Sequence, residues 1–346
     1  MIPVQVIGAA GYTGAELIRL LLRHPEFEPV SLCDKQEIKS MSEAYPHLRE
    51  FEGLEITHVE GEMPIPDGIK VVFMAVPDGV AMNLALPYLS KNIAVIDLSA
   101  DFRLKDNSVH ERWYGFANSN PKLLKNAVYG LPEFYRDKIP GTKLIANPGC
   151  YTTASILALA PAVKNGLIDP ESIICDAKSG VSGAGRKASL LMHFPEMNEN
   201  FAAYKIASHR HTPEIEQELT NIGGRKVLVT FTPHLIPCNR GILTTCYADL
   251  TEGITPEEMR EIYLDMYKNE PFVRILPAGT IPGISSVKGS NYCDILPNID
   301  ERNNRLIVVS VVDNLIKGAA GQAVQNANLI CGLAETTGLK DPGYYI

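Results

Sequence analysis

The chain has 346 residues, of which 45% are hydrophobic and 21% are charged, and this composition is typical of a globular protein with two domains. A net charge of −8 without a basic stripe argues against nucleic-acid binding, and no apolar run is long enough to span a membrane. The seven scattered cysteines include no CxxC pair, which argues against a disulfide framework or a zinc site and favours a cytoplasmic protein.

The first predicted element is a short apolar strand that begins at Val4 and runs into a glycine turn. Gly8, Gly11 and Gly14 have the spacing G-x-x-G-x-x-G, and a helical pattern follows them. Glycines let the backbone approach a pyrophosphate, and a helix N-terminus supplies N–H groups and positive potential. The turn therefore predicts a dinucleotide site, with a plain tight turn as the alternative.

The second predicted strand, 29–33, ends at a pair of opposite charges, Asp34 and Lys35. An acidic residue about 20 positions after the glycines binds a ribose hydroxyl and indicates NAD. A cation at this place accommodates the 2′-phosphate of NADP. Because both charges are present, the pair does not choose between the two cofactors.

Strands and helices continue to alternate in the first half of the chain. Apolar strands are predicted at 71–76 and 93–98, with a helical pattern between them. Repeated β–α units form a parallel, doubly wound sheet of the Rossmann type, whose ligands bind beyond the carboxyl ends of the strands. The segment Ser99–Arg103 lies at such an end, and so does Cys150.

Cys150 follows a predicted turn, Asn147-Pro148-Gly149, and begins a helical pattern. At a helix N-terminus, the dipole favours the thiolate, and the free N–H groups could hold a developing oxyanion. We therefore predict that Cys150 is a nucleophile. The other six cysteines are interpreted as packing residues, which is the usual role of a cysteine.

Strands dominate the pattern after the Cys150 helix, and 255–268 is the clearest of the few helices. This pattern predicts an α+β domain with a mainly antiparallel sheet. Its predicted strands are Ile173–Ala177, Lys226–Phe231, Leu243–Leu250, Asp294–Leu296 and Leu306–Asp313.

The predicted domain boundaries follow from this change of pattern. Residues 1–149 are assigned to the dinucleotide-binding domain and residues 150–314 to the catalytic and oligomerisation domain. An Ala-rich helix predicted at 315–333 has a face of small residues that suits close packing. Residues 315–346 are therefore expected to complete the first domain.

Two loops in the second half are candidates for binding or for shaping a pocket. The Ser- and Gly-rich loop 179–186 ends at Arg186 and could cradle a phosphate through its N–H groups and this cation. A flexible surface loop explains the same composition equally well. The segment 233–241 reads as a turn between strands, which could line a pocket or an interface or be a plain loop.

A third candidate is the sequence His209-Arg210-His211, which follows a predicted strand (203–207) and precedes a helix with Thr212 as its N-cap. Two histidines that flank an arginine favour an anion site or an acid–base site over a merely structural role. Metal binding is less favoured because no further ligands cluster nearby.

Eight motifs, in chain order, resemble those of the N-acetyl-γ-glutamyl-phosphate reductases of arginine biosynthesis, in their longer, type 1 form. The motifs are Gly8–Gly14, Ala100–Arg103, Tyr129–Glu133, Asn147–Tyr151, Ser179–Arg186, His209–Glu214, Asn239–Leu243 and Asp313–Ala319. The chain departs from the family at Thr152, where proline is usual, and at Asp34-Lys35, where a small polar residue and arginine are commoner. The resemblance implies a fold similar to glyceraldehyde-3-phosphate dehydrogenase, a Rossmann domain followed by an α+β domain.

The resemblance also implies a reaction. The Cys150 thiolate would attack the acyl phosphate and expel phosphate, and NADPH would reduce the thioester to N-acetyl-L-glutamate 5-semialdehyde. Covalent catalysis suits this reduction because a thioester accepts hydride far more readily than a carboxylate. His209 is the implied acid–base residue.

Binding residues follow from the same resemblance. Those implied to bind NADP(H) are Gly8, Gly11, Tyr12, Thr13, Gly14, Lys35, Ser182, Gly183 and Asn314. Those implied to bind the substrate are Arg103, Arg186, Arg210 and His211. Because the family uses NADP, Lys35 is expected to face the cofactor and Asp34 to point away. The expected assembly is a homo-oligomer, either a dimer or a tetramer.

Three other functions stay open at this point. Two are enzymes with the same chemistry: aspartate-semialdehyde dehydrogenase and an N-modified aminoadipyl-phosphate reductase of lysine biosynthesis. The third is a non-catalytic NADP(H)-sensing protein, which would need neither Cys150 nor His209.

Overall fold

The computed structural model describes residues 1–51, 53–251 and 253–345, and the chain forms two compact units. The first unit contains Met1–Pro148 and Ala319–Lys340, and the second contains Gly149–Gly318 and the residues after Lys340. Within the described residues, no helix combines the length and the apolar character needed to cross a membrane.

The chain end differs from the expectation that residues 315–346 complete the first domain. Residues 315–318 and those after Lys340 belong to the second unit. Tyr344 explains the second difference, because its backbone N–H donates to the carbonyl of Lys288 over 2.9 Å and its ring lies under the Lys288 ammonium. Ile346 lies outside the described residues.

Among the described residues before Pro148, the first unit has seven strands and six α-helices. The strands are β1 (Ile2–Ile7), β2 (Phe27–Asp34), β3 (Ile56–His58), β4 (Val71–Met74), β5 (Ala94–Asp97), β6 (Val128–Tyr129) and β7 (Leu144–Ala146). The helices are α1 (Tyr12–Leu21), α2 (Met41–Ala44), α3 (Ala81–Ser90), α4 (Asn107–Tyr114), α5 (Pro121–Asn126) and α6 (Pro132–Tyr135).

The sheet of the first unit is parallel throughout, in the order β3-β2-β1-β4-β5-β7-β6. All of β4 is buried, which requires that both faces of the sheet be covered. This confirms the predicted doubly wound sheet. Because the strands are parallel, their carboxyl ends meet at one edge. The glycine turn follows β1 at this edge, and Asp34 ends β2 there.

In the described part of the second unit there are four α-helices and seven strands. The helices are α7 (Cys150–Lys164), α8 (Phe194–Met197), α9 (Thr212–Gly223) and α10 (Pro256–Tyr267). The strands are β8 (Ile173–Gly180), β9 (Ala202–Ala203), β10 (Val229–Ile236), β11 (Ile242–Asp249), β12 (Val273–Ile275), β13 (Cys293–Asp300) and β14 (Arg305–Val312). A π-helical turn, Ile316–Ala320, then leads into α11 (Gly321–Ile330) of the first unit.

The second sheet has the order β12-β13-β14-β11-β8-β10-β9 and is mainly antiparallel, as predicted. Only two of its pairings, β8 with β10 and β12 with β13, are parallel. Residues of β8 and β11 alternate between a buried and a half-buried face. Helix α7 packs on the buried face, where its Ala154 carbonyl accepts from Ser310 Oγ over 2.9 Å.

Three local predictions are wrong. Residues 233–236 belong to β10 instead of a turn. Proline has no N–H to donate to a neighbouring strand. Pro233 is tolerated in β10 because β9, on one side of it, pairs with His234 and Leu235 and not with Pro233. The predicted strand 203–207 is confined to β9, since the chain turns after it. Thr212 is the first residue of α9 and does not cap it, because the helix starts one residue earlier than predicted.

Candidate active site

The glycine turn depends on two residues without a side chain. Gly8 has φ +83°, and a Cβ there would overlap the carbonyl of Ala75. A Cβ at Gly14 would overlap the Gly8 carbonyl. Gly11 is the N-cap of α1 and supplies no side-chain acceptor to the first turn of this ten-residue helix. The N–H groups of this turn therefore suit the phosphates of a dinucleotide.

Asp34 points toward the glycine turn, so the expectation that it points away is wrong. Its carboxylate accepts from the backbone N–H of Ala10 and from that of Gln36, each over 2.9 Å, and the side chain is buried. A carboxylate at the end of β2 satisfies these two amides, and this interaction fixes its direction. Lys35, the next residue, is exposed. Tyr12 and Thr13 are the first two residues of α1 and are half-buried.

Cys150 is the first residue of α7, as predicted, and is half-buried. Gly318 lies against it, because a Cβ at residue 318 would be 2.8 Å from the Cys150 Cβ. A backbone hydrogen bond of 2.9 Å from the Gly318 N–H to the Asp313 carbonyl holds this approach. Of the other cysteines, Cys238 and Cys331 are half-buried and the rest are buried.

The turn before Cys150 is held by a buried carboxylate from α9. Glu214 Oε1 accepts from the Gly149 N–H over 3.0 Å and lies 2.8 Å from Thr152 Oγ1. Glu214 is fully buried at the start of its helix. The sequence analysis named Glu214 only as the last residue of the His209–Glu214 motif, since nothing in its local pattern shows a partner 65 residues earlier.

His209 is buried in an aromatic cluster of the same unit. Its ring centroid lies 5.7 Å from that of Tyr151, 5.5 Å from Tyr204 and 5.3 Å from Phe231. Nδ1 accepts from the His211 backbone N–H over 3.1 Å, and Nε2 lies 3.4 Å from Tyr204 Oη. Because Nδ1 is an acceptor, the neutral ring carries its proton on Nε2.

Burial, and to a smaller extent the positive charges of His211, Lys205 and Arg210, lower the pKa of His209 to about 2, against a smaller opposing effect of Glu214. The imidazole is therefore neutral at physiological pH. A neutral ring with an Nε2–H can donate a hydrogen bond to an oxygen that becomes negative.

The sequence reading missed the tyrosines of this cluster. Tyr151 donates to the His234 carbonyl over 3.0 Å, and Tyr204 Oη lies 3.4 Å from Tyr151 Oη. Burial raises the pKa of Tyr204 to about 12 and that of Tyr151 higher still, so both phenols stay protonated. Tyr151 is part of the motif Asn147–Tyr151, which could have indicated a place in the site. Tyr204 lies outside all eight family motifs.

The cofactor residues predicted in the second unit lie together. Asn314 Nδ2 donates to Ser182 Oγ over 2.9 Å, and Asn314 Oδ1 accepts from the Gly241 N–H over 2.7 Å. A Cβ at Gly183 would be 3.6 Å from Asn314 Nδ2. Asp313, the preceding residue, is buried and makes a two-pronged ion pair with Arg240 at 3.0 Å.

The four predicted substrate residues fall into different surroundings. Arg210 and His211 are half-buried beside His209, and Arg186 is exposed in its loop. Arg103, in the first unit, is buried, and its Nε and Nη2 donate to the carbonyls of Asn147 (2.8 Å) and Leu98 (2.9 Å). In this conformation, Arg103 stabilises the backbone at Asn147, the first residue of the turn that precedes Cys150.

Comparison with known proteins follows the same division of the chain. The sequence model of the semialdehyde dehydrogenase NAD-binding domain matches residues 3–142, and that of the semialdehyde dehydrogenase dimerisation domain matches residues 150–314. The N-acetyl-gamma-glutamyl-phosphate reductase of Pelotomaculum thermopropionicum is 54% identical over 99% of both chains. The enzyme of the same name from Desulforudis audaxviator is 50% identical over the full length of both.

Solved structures share the fold at low sequence identity. Aspartate semialdehyde dehydrogenase II of Vibrio cholerae superposes with a TM-score of 0.72 at 17% identity, over 96% of this chain and 98% of that one. The aspartate semialdehyde dehydrogenase of Candida albicans has a TM-score of 0.68 at 17% identity, over 97% and 99%. At such identities the likeness shows the fold alone.

The contact between Gly318 and Cys150 gives a first prediction. Gly318→Ala should push Cys150 from the start of α7, where the thiolate is favoured, and slow its alkylation by iodoacetamide by at least about threefold. Gly61→Ala is the control, because a Cβ there meets nothing within 4 Å. An unchanged alkylation rate in a folded Gly318→Ala protein would show that this approach does not place the thiol.

Proposed function

The chain belongs to the N-acetyl-gamma-glutamyl-phosphate reductase family, and we propose that it reduces N-acetyl-γ-glutamyl phosphate to N-acetyl-L-glutamate 5-semialdehyde and phosphate, a step of arginine biosynthesis. The observation that carries this proposal is a cysteine at the N-terminus of a 15-residue helix, in one unit with a buried neutral imidazole. Cys150 acts as the nucleophile, and His209 donates a hydrogen bond to the oxygen on which negative charge develops. A cytoplasmic location agrees with the scattered cysteines.

The first half-reaction forms a thioester. The N-terminus of α7 favours the Cys150 thiolate, which attacks the acyl carbon. A C–S bond forms, the bond between the acyl carbon and the bridging phosphate oxygen breaks, and phosphate leaves with the electron pair. Backbone N–H groups at the start of α7 are suited to hold the oxyanion that develops on the carbonyl oxygen.

The second half-reaction reduces the thioester. NADPH, when bound, would supply the hydride. As negative charge develops on the former carbonyl oxygen, the neutral His209 ring donates a hydrogen bond to it from Nε2–H and keeps its proton. The tetrahedral oxyanion then collapses: the aldehyde C=O forms, and the C–S bond breaks with return of its electron pair to the Cys150 sulfur.

Residues of both units are proposed to bind NADP(H). In the first unit, the N–H groups after Gly11 receive the phosphates, and Lys35 receives the 2′-phosphate. Asp34 contributes by holding the turn through Ala10. In the second unit, the residues proposed to bind the cofactor are Ser182, Gly183 and Asn314, which lie together.

A homodimer through the second sheet is proposed as the assembly. The dimerisation-domain model covers this unit. The half-buried face of the sheet carries an apolar row in which Ile174, Tyr247 and Ile307 are cross-strand neighbours on β8, β11 and β14. An apolar row of this kind in the middle of a sheet fits a second copy of the same face, related by a two-fold axis.

The nucleophile assignment predicts a sharp difference between cysteines. The wild type should oxidise N-acetyl-glutamate 5-semialdehyde in a phosphate-dependent reaction, in preference to aspartate semialdehyde or an N-modified aminoadipate semialdehyde. Cys150→Ser should abolish this activity, because serine is not ionised at neutral pH, and should leave cofactor binding intact. Cys331→Ser is the control. More than a few per cent of residual activity in Cys150→Ser would refute the assignment.

The histidine assignment predicts a ranking. His209→Asn should lower kcat by ~10²–10³, the usual contribution of one positioned donor to a developing oxyanion, whereas His211→Asn should act mainly on KM. Because the pKa of His209 is lowered to about 2, the ring stays neutral and should add no falling limb to kcat/KM between pH 5 and 8. The reverse ranking of the two variants would reassign the role to His211.

Lys35 gives a prediction about cofactor choice. The enzyme should prefer NADPH to NADH, and Lys35→Ala should reduce that preference about tenfold, mostly through KM for NADPH, because a charge-assisted bond to the 2′-phosphate is lost. Lys39→Ala, at another exposed lysine, is the control. Measurement of kcat/KM with both cofactors decides; a wild-type preference for NADH would contradict the proposal.

The dimer proposal predicts an oligomer that a single charge disrupts. The wild type should have at least dimeric mass by light scattering, and Ile307→Glu should be monomeric because it buries a charge in the apolar row. Leu86→Glu, at an exposed leucine of α3, should keep the wild-type mass. A dimeric Ile307→Glu protein would exclude this face as the interface.

A further inference from the structure

Asp313, which directly follows β14, has a fully buried carboxylate with partners on both oxygens. Oδ1 accepts from Arg240 Nη2 over 3.0 Å and from the Leu315 N–H over 2.8 Å. Oδ2 accepts from Arg240 Nε over 3.0 Å and from the Gly289 N–H over 2.7 Å. Because two nitrogens of one planar guanidinium bond the two oxygens, the ion pair fixes the plane of the carboxylate.

The same residue holds both ends of the turn 313–318, which reaches the nucleophile. At the start of the turn, the Asp313 carboxylate accepts from the Leu315 N–H. At its end, the Asp313 carbonyl accepts from the Gly318 N–H over 2.9 Å. Gly318 lies against Cys150, where a Cβ at residue 318 would be 2.8 Å from the cysteine Cβ. The orientation of Asp313 therefore sets the backbone that touches the nucleophile.

A second contact, directly beside the ion pair, leads to the residues proposed to bind the cofactor. Gly241, the residue after Arg240, donates its N–H to Asn314 Oδ1 over 2.7 Å. Asn314, the residue after Asp313, donates from Nδ2 to Ser182 Oγ over 2.9 Å. Two successive residues of one segment thus hold two successive residues of the other, so a shift at the ion pair reaches Asn314 as well.

We propose that Arg240 is a positioning residue for the reaction, which acts through Asp313 on Cys150 and on Asn314 together. The inference rests on the proposed function, which assigns the nucleophile and the cofactor-binding amide. In that reaction the hydride must arrive at the carbon bonded to the Cys150 sulfur. Because the rate depends steeply on the relative placement of the reacting groups, one anchor shared by the nucleophile and the cofactor residue serves this step.

Arg240→Lys tests the first half of the proposal, because lysine keeps the charge but cannot hold both carboxylate oxygens with a planar fork. Alkylation of Cys150 by iodoacetamide at neutral pH should slow by at least about threefold, since the thiol leaves the position where its thiolate is favoured. The rate should approach that of the wild type at high pH, where the thiol ionises in either position.

The same variant tests the second half. The Kd for NADPH, measured by fluorescence titration, should rise about fivefold, the effect of one weakened hydrogen bond. In the phosphate-dependent oxidation of the semialdehyde, KM for phosphate should stay within about twofold of the wild type, the scatter expected for an independent site.

A double-variant cycle tests whether Arg240 acts through Asp313. Asp313→Asn should give the same two effects, because an amide nitrogen cannot accept from the guanidinium. Adding Arg240→Lys to Asp313→Asn should then change little, whereas additive effects would overturn the proposal. If Asp313→Asn does not fold, the measurements on Arg240→Lys decide alone.

Arg305→Lys is the matched control, because Arg305 begins β14 at its opposite end and pairs with Asp249 at 2.9 Å. This variant should keep the alkylation rate and the Kd of the wild type. A general loosening of the fold would speed alkylation, so a faster reaction in Arg240→Lys would show a merely structural role and overturn the proposal.

An unchanged alkylation rate or an unchanged Kd in Arg240→Lys would also overturn the proposal. A raised KM for phosphate with wild-type alkylation would overturn it in favour of direct substrate binding by Arg240. Neither alkylation nor cofactor binding requires turnover. A wild type that is alkylated normally but shows no phosphate-dependent oxidation would therefore refute the proposed function instead.

Discussion

The hydrogen bond from the Gly149 N–H to the buried carboxylate of Glu214 is the constraint on which the site depends. It joins the N-cap of α7, which precedes Cys150, to the first turn of α9, which follows His211. The carboxylate thus lies near the positive ends of two helices, where a negative charge is stabilised. Because both helices meet at this carboxylate, the cysteine and histidine motifs are held in one rigid arrangement.

The surroundings of His209 fix its protonation state. Burial in the aromatic cluster, together with the nearby cations, keeps His209 neutral. A neutral ring whose Nδ1 is already occupied has its proton fixed on Nε2. The His211 N–H thus selects the tautomer that can donate to a developing oxyanion.

The sequence predicted those parts of the fold that depend on local pattern. The strand–glycine–helix start, the parallel sheet and the helix that begins at Cys150 follow from apolar periodicity and turn residues. The direction of Asp34 could not be predicted, because its partner, the Ala10 N–H, lies 24 residues earlier. The extension of β10 through Pro233 was missed because proline normally indicates a turn, and only the short β9 beside it makes the proline tolerable. Tyr204 and Glu214 act through tertiary contacts that no spacing shows.

The central claim is that the reaction passes through a covalent bond to Cys150. The direct measurement is the intact mass of the enzyme after mixing with N-acetyl-γ-glutamyl phosphate without reduced cofactor, followed by peptide mapping. The account predicts one N-acetyl-glutamyl adduct per chain, on Cys150, that disappears when NADPH is added. A catalytically competent enzyme that forms no adduct, or forms it on another residue, would contradict the account.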